Sequence, residues 1–433
     1  MVLELCPELN DQDRDGISFA GFPELKRVVS MGNQHPKGAY TWDEVQQMSD
    51  NVSQDDLKTR ERQVKPEDTV FIMYTSGTTG FPKGVVHCHN IIRNGKMTTD
   101  VLEMTEDDCT IMYLPLFHAF GYYEGPLICY LSGGRMVLTE TFDPGEVLGL
   151  IESEKGNIIH GFDTHWHEIM NHADFKTRDL SSLRIGILAA GLPSTVQVAE
   201  RANQELCHTI TAWGMTEVMP CGLVGAIDDT FEQCTTTSGV PAEGYEVDIK
   251  DFETGGTLPP GVNGEICSRG YATMKGYYRK PEETAKTVDA EGWLHSGDLG
   301  VLHEDGHIRF LGRSKDMLKI GGENVDPVEV EAYYLRHDAI NKVSVIGVPD
   351  RRMSEIPVAF VVLENDSSAT EEDLAGFAKN KMASFKIPKH FIFVDEFPMT
   401  SSGKVKKFEL RENAAETLGL EDPDGAAVTS GQG

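Results

Sequence analysis

The sequence predicts an α/β fold in three parts: a large N-terminal domain of parallel-rich sheets with helices, a β-rich subdomain attached to it, and a small α+β C-terminal domain. Three observations predict it. Apolar strand-like runs alternate with amphipathic helical stretches from Val70 to Thr216. Short β-like runs between Gly- and Pro-rich turns fill Asp228 to Arg313. A mixed pattern of strands and helices, about a hundred residues long and so an ordinary domain size, closes the chain.

In the first part the strand-like runs are Val70–Tyr74, Thr110–Leu114, Arg135–Leu138, Asn157–His160, Leu183–Leu188 and His208–Ala212. Gly145–Glu154 and Pro193–Glu205 read as helices between them. This alternation places the strands in a largely parallel sheet covered by helices. In the second part, Glu246–Lys250, Gly264–Ser268 and His307–Leu311 flank turns such as Thr254–Gly261. In the third, Asp326-Pro327-Val328-Glu329 is a helix start: Asp as N-cap, Pro in the first turn, Glu three residues on. Strand-like Lys342–Val348 and Val358–Leu363, a helix pattern near Glu371–Lys381 and strand-like His390–Val394 follow. The expected bounds are 1–313 for the first domain (β-rich subdomain at about 228–313), 314–420 for the C-terminal domain, and a disordered Gly-, Asp- and Ser-rich tail at 421–433.

Composition narrows the function. In 433 residues no run of eighteen apolar residues occurs, so no transmembrane helix is expected. Met1–Asp15 carries no signal-peptide pattern. The eight cysteines are scattered without a CxxC pair, which argues against zinc ribbons and disulfide frameworks and for a reducing cytoplasm. A net charge of −30 disfavours nucleic acid and anionic membranes as partners. The acidic residues are dispersed, which reads as a solvated coat of the kind a saline habitat favours. The sequence is compatible with a homo-oligomer.

The strongest local signal is Tyr74-Thr75-Ser76-Gly77-Thr78-Thr79-Gly80-Phe81-Pro82-Lys83-Gly84-Val85, directly after an apolar strand. Its glycines open backbone conformations closed to other residues. Backbone N–H groups and the hydroxyls of Thr75, Ser76, Thr78 and Thr79 can then wrap phosphate oxygens, with Lys83 adding positive charge. No Gly-Lys-Ser/Thr follows at the spacing of a P-loop NTPase.

This segment resembles the phosphate-binding loop of the adenylate-forming superfamily, which holds acyl-CoA synthetases, luciferases and adenylation domains of peptide synthetases. The resemblance extends from Leu25 to Leu418. Leu114-Pro115-Leu116-Phe117-His118-Ala119-Phe120-Gly121 resembles the family's aromatic–histidine motif, which implies that His118 lies beside the acyl pocket. Ala190-Gly191-Leu192-Pro193 resembles the turn against the adenine. Trp213-Gly214-Met215-Thr216-Glu217 implies Trp213 on the purine, Thr216 on the α-phosphate and Glu217 on Mg²⁺, a hard oxygen ligand for a hard cation. Trp213 stands where the family more often has Tyr, and keeps the stacking face. Gly292 to Gly300 resembles the ribose-binding motif, with Asp298 as the carboxylate. Gly312 to Asn324 implies Arg313 on ribose or phosphate and Lys315 as the hinge. Lys319 and the Gly321-Gly322 pair would then approach during thioester formation. Pro398 to Lys407 resembles the loop of the catalytic lysine, Lys404, while Lys406 and Lys407 read as a basic surface turn.

The resemblance therefore implies an AMP-forming acid–thiol ligase with ATP, Mg²⁺ and coenzyme A. The acid attacks the α-phosphate, and the coenzyme A thiol then attacks the acyl-AMP. Two departures stand out. Relatives usually carry about a hundred further residues ahead of the phosphate loop, more than a length prior would treat as trimming, so part of the N-terminal subdomain is expected to be missing, with strand edges left unpaired. Gly161-Phe162-Asp163-Thr164-His165-Trp166-His167 stands where relatives often have Gly-x-Pro-Thr. It reads as a helix start with Asp163 as N-cap, the competing reading being a more polar acyl pocket. Two functional alternatives are adenylation with another acyl acceptor and a non-catalytic nucleotide-binding homologue.

Overall fold

The computed structural model describes residues 2–33, 35–75, 82–192, 194–350, 352–364, 367–399 and 405–419, the side chains of Cys221 and Asn324 aside. The tail expected to be disordered, 421–433, lies outside the described residues. Residues 1–68 form one compact unit and residues 69–433 another.

In the first unit, Val29–Ser30 (β1) pairs in parallel with Tyr40–Thr41 (β2). Cys6, Leu9, Ile17 and Phe19 make its small apolar core. Thr41 and Glu44 form a reciprocal capping box that starts the helix Trp42–Gln47.

The second unit begins with Thr69–Tyr74 (β3), the first strand the sequence predicts. It does not join the parallel sheet. It turns back on Gly84–Cys88 (β4) as an antiparallel hairpin with Tyr74 opposite Gly84. The nine residues between the strands are too few for the helical crossover that a parallel pair needs. The remaining predicted runs assemble as expected. Cys109–Met112 (β5), Arg135–Leu138 (β6), Ile158–Gly161 (β7), Ile185–Leu188 (β8) and His208–Met215 (β9) are all parallel. Met219–Val224 (β10) and Val240–Pro241 (β11) extend the sheet antiparallel, in the order β11-β10-β9-β8-β7-β5-β6. Ile111, Ile158, Ile159, Ile187, Ile210 and Trp166 are fully buried, as expected for parallel strands covered on both faces.

The β-rich part supplies Tyr245–Lys250 (β12), Asn263–Gly270 (β13), Gly276–Tyr277 (β14), Leu294–Leu302 (β15) and Ile308–Arg313 (β16). Four of them form an antiparallel sheet in the order β12-β13-β15-β16, while β14 crosses to pair with β4. That crossing fastens the hairpin to this part of the chain.

The C-terminal part is a five-stranded sheet among the described residues. Its strands are Leu318–Ile320 (β17), Glu323–Val325 (β18), Ile340–Asp350 (β19), Ser354–Leu363 (β20) and His390–Phe393 (β21). The predicted helix start holds: Asp326 Oδ1 accepts from Val328 N–H at 2.9 Å, and the helix runs Pro327–Tyr334. Burial pushes the Asp326 carboxyl up to about 6. The helix expected near Glu371–Lys381 is Glu371–Ala378, capped by Thr370.

Two readings need correction. The helix after β7 begins at Asp163 itself; the residue outside it is Phe162, whose N–H is met by His165 Nδ1 at 3.2 Å instead of by an Asp cap. Lys407 is not a surface lysine. It opens the helix Lys407–Leu418 and pairs with the buried Glu331 at 2.9 Å. Among the described residues no helix is long and apolar enough to cross a membrane.

Candidate active site

The β3–β4 hairpin sets one wall. Thr75 N–H donates to the Lys83 carbonyl at 3.0 Å and closes the base of the loop between them. Ser76, Gly77, Thr78, Thr79 and Gly80 lie outside the described residues. Lys83 Nζ meets Glu283 Oε2 at 2.8 Å and lies 4.8 Å from the centre of the Tyr277 ring. Hydrogen bonds from Lys83 and Lys286 hold the Glu283 carboxyl at about 2. The Tyr277 hydroxyl donates to Glu217 Oε1 at 2.8 Å, and burial together with that carboxylate raises its phenol above the usual range. Glu217 is buried, and its carbonyl accepts from Met274 N–H at 2.8 Å. The carbonyl of Thr216 accepts from His87 Nε2 at 2.7 Å, and burial keeps that imidazole neutral by lowering its pKa. Lys83, Tyr277 and Glu217 thus tie β4, β14 and the turn after β9 into one network.

A second network joins the ends of β9 and β16 to the middle of β15. Trp213, on β9, donates its Nε1–H to Asp298 Oδ2 at 3.0 Å. Arg313 Nε meets Asp298 Oδ1 at 3.0 Å. Asp298 and Arg313 are register partners across β15 and β16, so the sheet itself aligns the opposite charges. Asp298 is only 2% exposed, and a carboxylate so buried needs these donors. Its approach is shaped by Gly297 at φ +71°, whose N–H donates to Glu265 Oε1 at 2.9 Å.

Gly191 sits at φ +118°, where a Cβ would lie 2.2 Å from Ser238 Oγ. Only glycine fits there. Its carbonyl accepts from Arg309 Nε at 2.8 Å, while Ser238 Oγ donates to the Ala190 carbonyl at 3.0 Å. The turn Ala190–Gly191 is thereby fixed to β16.

His118 caps the short helix Ala119–Tyr122, its Nδ1 accepting from Phe120 N–H at 3.2 Å. Its ring stands edge-on to Phe162, with centroids 6.2 Å apart. His165 packs on Phe142 at 4.8 Å and Tyr113 at 5.5 Å, and burial lowers its pKa to about 4. The segment that departs from Gly-x-Pro-Thr therefore lines an aromatic wall beside His118.

The remaining predicted residues belong to the C-terminal part. Lys315 lies in the turn Ser314–Asp316 directly after β16, within electrostatic reach of Arg313 and Asp298. Lys319 is on β17, its N–H donating to Glu355 Oε2 at 2.6 Å. Gly321 and Gly322, at φ +61° and +91°, are the two-residue loop between Ile320 and Glu323. A tight hairpin with positive φ at both central residues demands glycine there on local grounds alone. Of these strands β17 pairs with β20, in a sheet separate from β9 and β15. Lys404 lies outside the described residues.

The sequence reading passed over Tyr277, Glu283, His87, Ser238 and Arg309. The available signal for two of them was the pair Tyr277-Tyr278 just ahead of Pro281-Glu282-Glu283. Nothing in local pattern marks the other three.

The sequence profile of the AMP-binding enzymes matches residues 18–278, and that of the AMP-binding enzyme C-terminal domain matches residues 329–404. A putative acyl-CoA synthetase of Bacillus subtilis (strain 168), YngI, is 37% identical over 97% of this chain and 77% of its own length. The mitochondrial medium-chain acyl-CoA ligase ACSF2 of Rattus norvegicus is 33% identical over 97% of this chain and 69% of its own. Among solved structures, ATP-bound MatB from Rhodopseudomonas palustris aligns with TM-score 0.75 and 30% identity, covering 82% of this chain and 69% of that one.

Proposed function

The chain belongs to the AMP-binding enzyme family and is an AMP-forming acid–thiol ligase, and from that premise we propose how its residues divide the work. The carrying observation is the Trp213–Asp298–Arg313 network, in which the buried Asp298 carboxylate holds both the buried indole N–H and a half-buried guanidinium.

Trp213 and the Ala190–Gly191 turn flank the adenine. Asp298 accepts from the ribose hydroxyls, and Arg313 neutralises Asp298 and reaches ribose or phosphate. Thr75, Ser76, Gly77, Thr78, Thr79, Gly80 and Lys83 cradle the β- and γ-phosphates, with Thr216 on the α-phosphate. Lys83 leaves Glu283 for phosphate when nucleotide enters. Glu217 suits Mg²⁺: one carboxylate oxygen is taken by Tyr277, and the other has no partner among the described residues. Bound there, the cation would supply charge neutralisation at the phosphates.

In the first step the carboxylate oxygen of the acid attacks the α-phosphorus. The bond from that phosphorus to the bridging oxygen breaks and pyrophosphate leaves. Lys404 bridges carboxylate and α-phosphate, where negative charge grows. His118 and the aromatic wall around Phe162 order the acid. In the second step the coenzyme A sulfur attacks the acyl carbon, loses its proton, and AMP leaves. The C-terminal domain, 314–420, turns about Lys315 between steps, withdrawing Lys404 and bringing Lys319 and Gly321-Gly322 to the thiol. Two reactions that cannot share one geometry are thereby separated.

Acid-dependent exchange of labelled pyrophosphate into ATP tests this reading. Exchange that requires both Mg²⁺ and a carboxylic acid is expected. Exchange without acid, or none with a panel of short, medium and aryl acids, would refute it.

A further inference from the structure

Beside the Asp298 network, three metal-ligating side chains of three kinds converge between β13 and β15. Cys267 and His295 are register partners on the two strands, and Glu265 lies two residues before Cys267. Glu265 Oε2 to His295 Nδ1 is 2.8 Å, Cys267 Sγ to His295 Nδ1 is 3.5 Å, and Cys267 Sγ to Glu265 Oε2 is 3.6 Å. Tetrahedral bonds of about 2.0–2.3 Å place ligand atoms about 3.3–3.7 Å apart, so two edges already have the size of a zinc tetrahedron and the third needs to open by about half an ångström.

The surroundings fit the same purpose. Cys267 is fully buried and Glu265 nearly so, while the His295 side chain is 32% exposed and leaves an entry path. Behind His295, Asp289 Oδ2 lies 3.5 Å from Nε2. A carboxylate on the far nitrogen orients a ligating imidazole and raises its basicity. Glu265 is held in place by its other oxygen, which accepts from Gly297 N–H.

We propose that Glu265, Cys267 and His295 bind one borderline-soft divalent transition metal of the Zn²⁺ class, with water as fourth ligand. The site is a structural clamp. It ties β13 to β15 beside Gly297, the residue before Asp298, and touches no reactant.

The full chain, stripped with a chelator, is titrated with Co²⁺ and then with Zn²⁺ in competition with a chromophoric chelator. Expected are a single bound Co²⁺ with a thiolate-to-cobalt charge-transfer band and its displacement by Zn²⁺. Cys267→Ser abolishes the band, whereas Cys129→Ser, at a buried cysteine of the parallel sheet's domain, keeps it. His295→Gln weakens Zn²⁺ binding by about 10–100-fold. No band in the wild-type chain overturns the proposal. So does a band that survives Cys267→Ser, or unchanged Zn²⁺ affinity in His295→Gln. Should Cys267→Ser fail to fold, the part-exposed His295→Gln decides.

Discussion

The side of the site proposed to hold nucleotide and its C-terminal side are held in different ways. On the nucleotide side the functional side chains hold one another. Trp213 and Arg313 grip Asp298, and Tyr277 joins Glu217 to the Lys83–Glu283 pair. On the C-terminal side the backbone does the placing. Lys319 sits on a three-residue strand, and Gly321-Gly322 are the turn that ends it. Lys407 on Glu331 fixes the helix that follows Lys404. The first arrangement holds its polar groups in a fixed mutual geometry, which suits a binding surface. The second places Lys315 in a turn and Lys319 on a short strand beside the Gly321-Gly322 turn, which suits the step-by-step movement proposed for that part.

The sharpest way to break this comparison is Lys404→Ala. Loss of one positioned cation should slow acyl-AMP formation by about 10²–10³-fold, with thioester formation from supplied acyl-AMP little changed. Separate assays of the two half-reactions check it, and equal loss in both would erase the division of labour.

Asp298→Ala tests the prebuilt side. It leaves the Arg313 guanidinium and the Trp213 N–H without their carboxylate, so AMP affinity should fall by about 1.5–3 kcal/mol, the value of hydrogen bonds to a charged group. Calorimetric titration with AMP reads this directly.

Acid separates the two regions by sign. Burial holds His160, in the parallel sheet, at about 3 when folded, while the unfolded chain takes its proton near 6.5. The folded state therefore loses stability as pH falls below about 6.5, at about 1.4 kcal/mol per unit, or about 2 kcal/mol by pH 5. Asp326, in the C-terminal part, is raised to about 6, so its contribution is present at low pH and lost as pH rises through about 6. His160→Asn, which keeps an acceptor for Ile187 N–H, should flatten the acid loss in thermal unfolding. Asp326→Asn should remove the opposite trend. The smallest effect is Tyr277→Phe, about 1 kcal/mol of stability from one lost hydrogen bond, with a few-fold weaker Mg·ATP binding measured by titration.

Much of the fold was legible in the sequence because parallel strands write their burial as unbroken apolar runs. Asp326 advertised its cap in the same local way. β3 misled because an apolar run names neither its partner nor its cover, and most of this strand is exposed; only the short connection to Gly84 shows that it must fold back. Ser238 and Arg309 were silent because their roles come from segments brought together over long separations: Ser238 Oγ reaches the Ala190 carbonyl, and β16 carries Arg309 to Gly191. The Gly321-Gly322 pair shows the reverse hazard, a motif that the hairpin turn already requires before any ligand is considered.

The most direct test of the account is pyrophosphate release by the purified chain with ATP, Mg²⁺ and a panel of short, medium and aryl acids, with and without coenzyme A. Release that needs an acid and is accelerated by coenzyme A, with AMP and acyl-CoA formed in equal amounts, is the predicted result. Release indifferent to both acid and thiol, or none from folded protein, would contradict it.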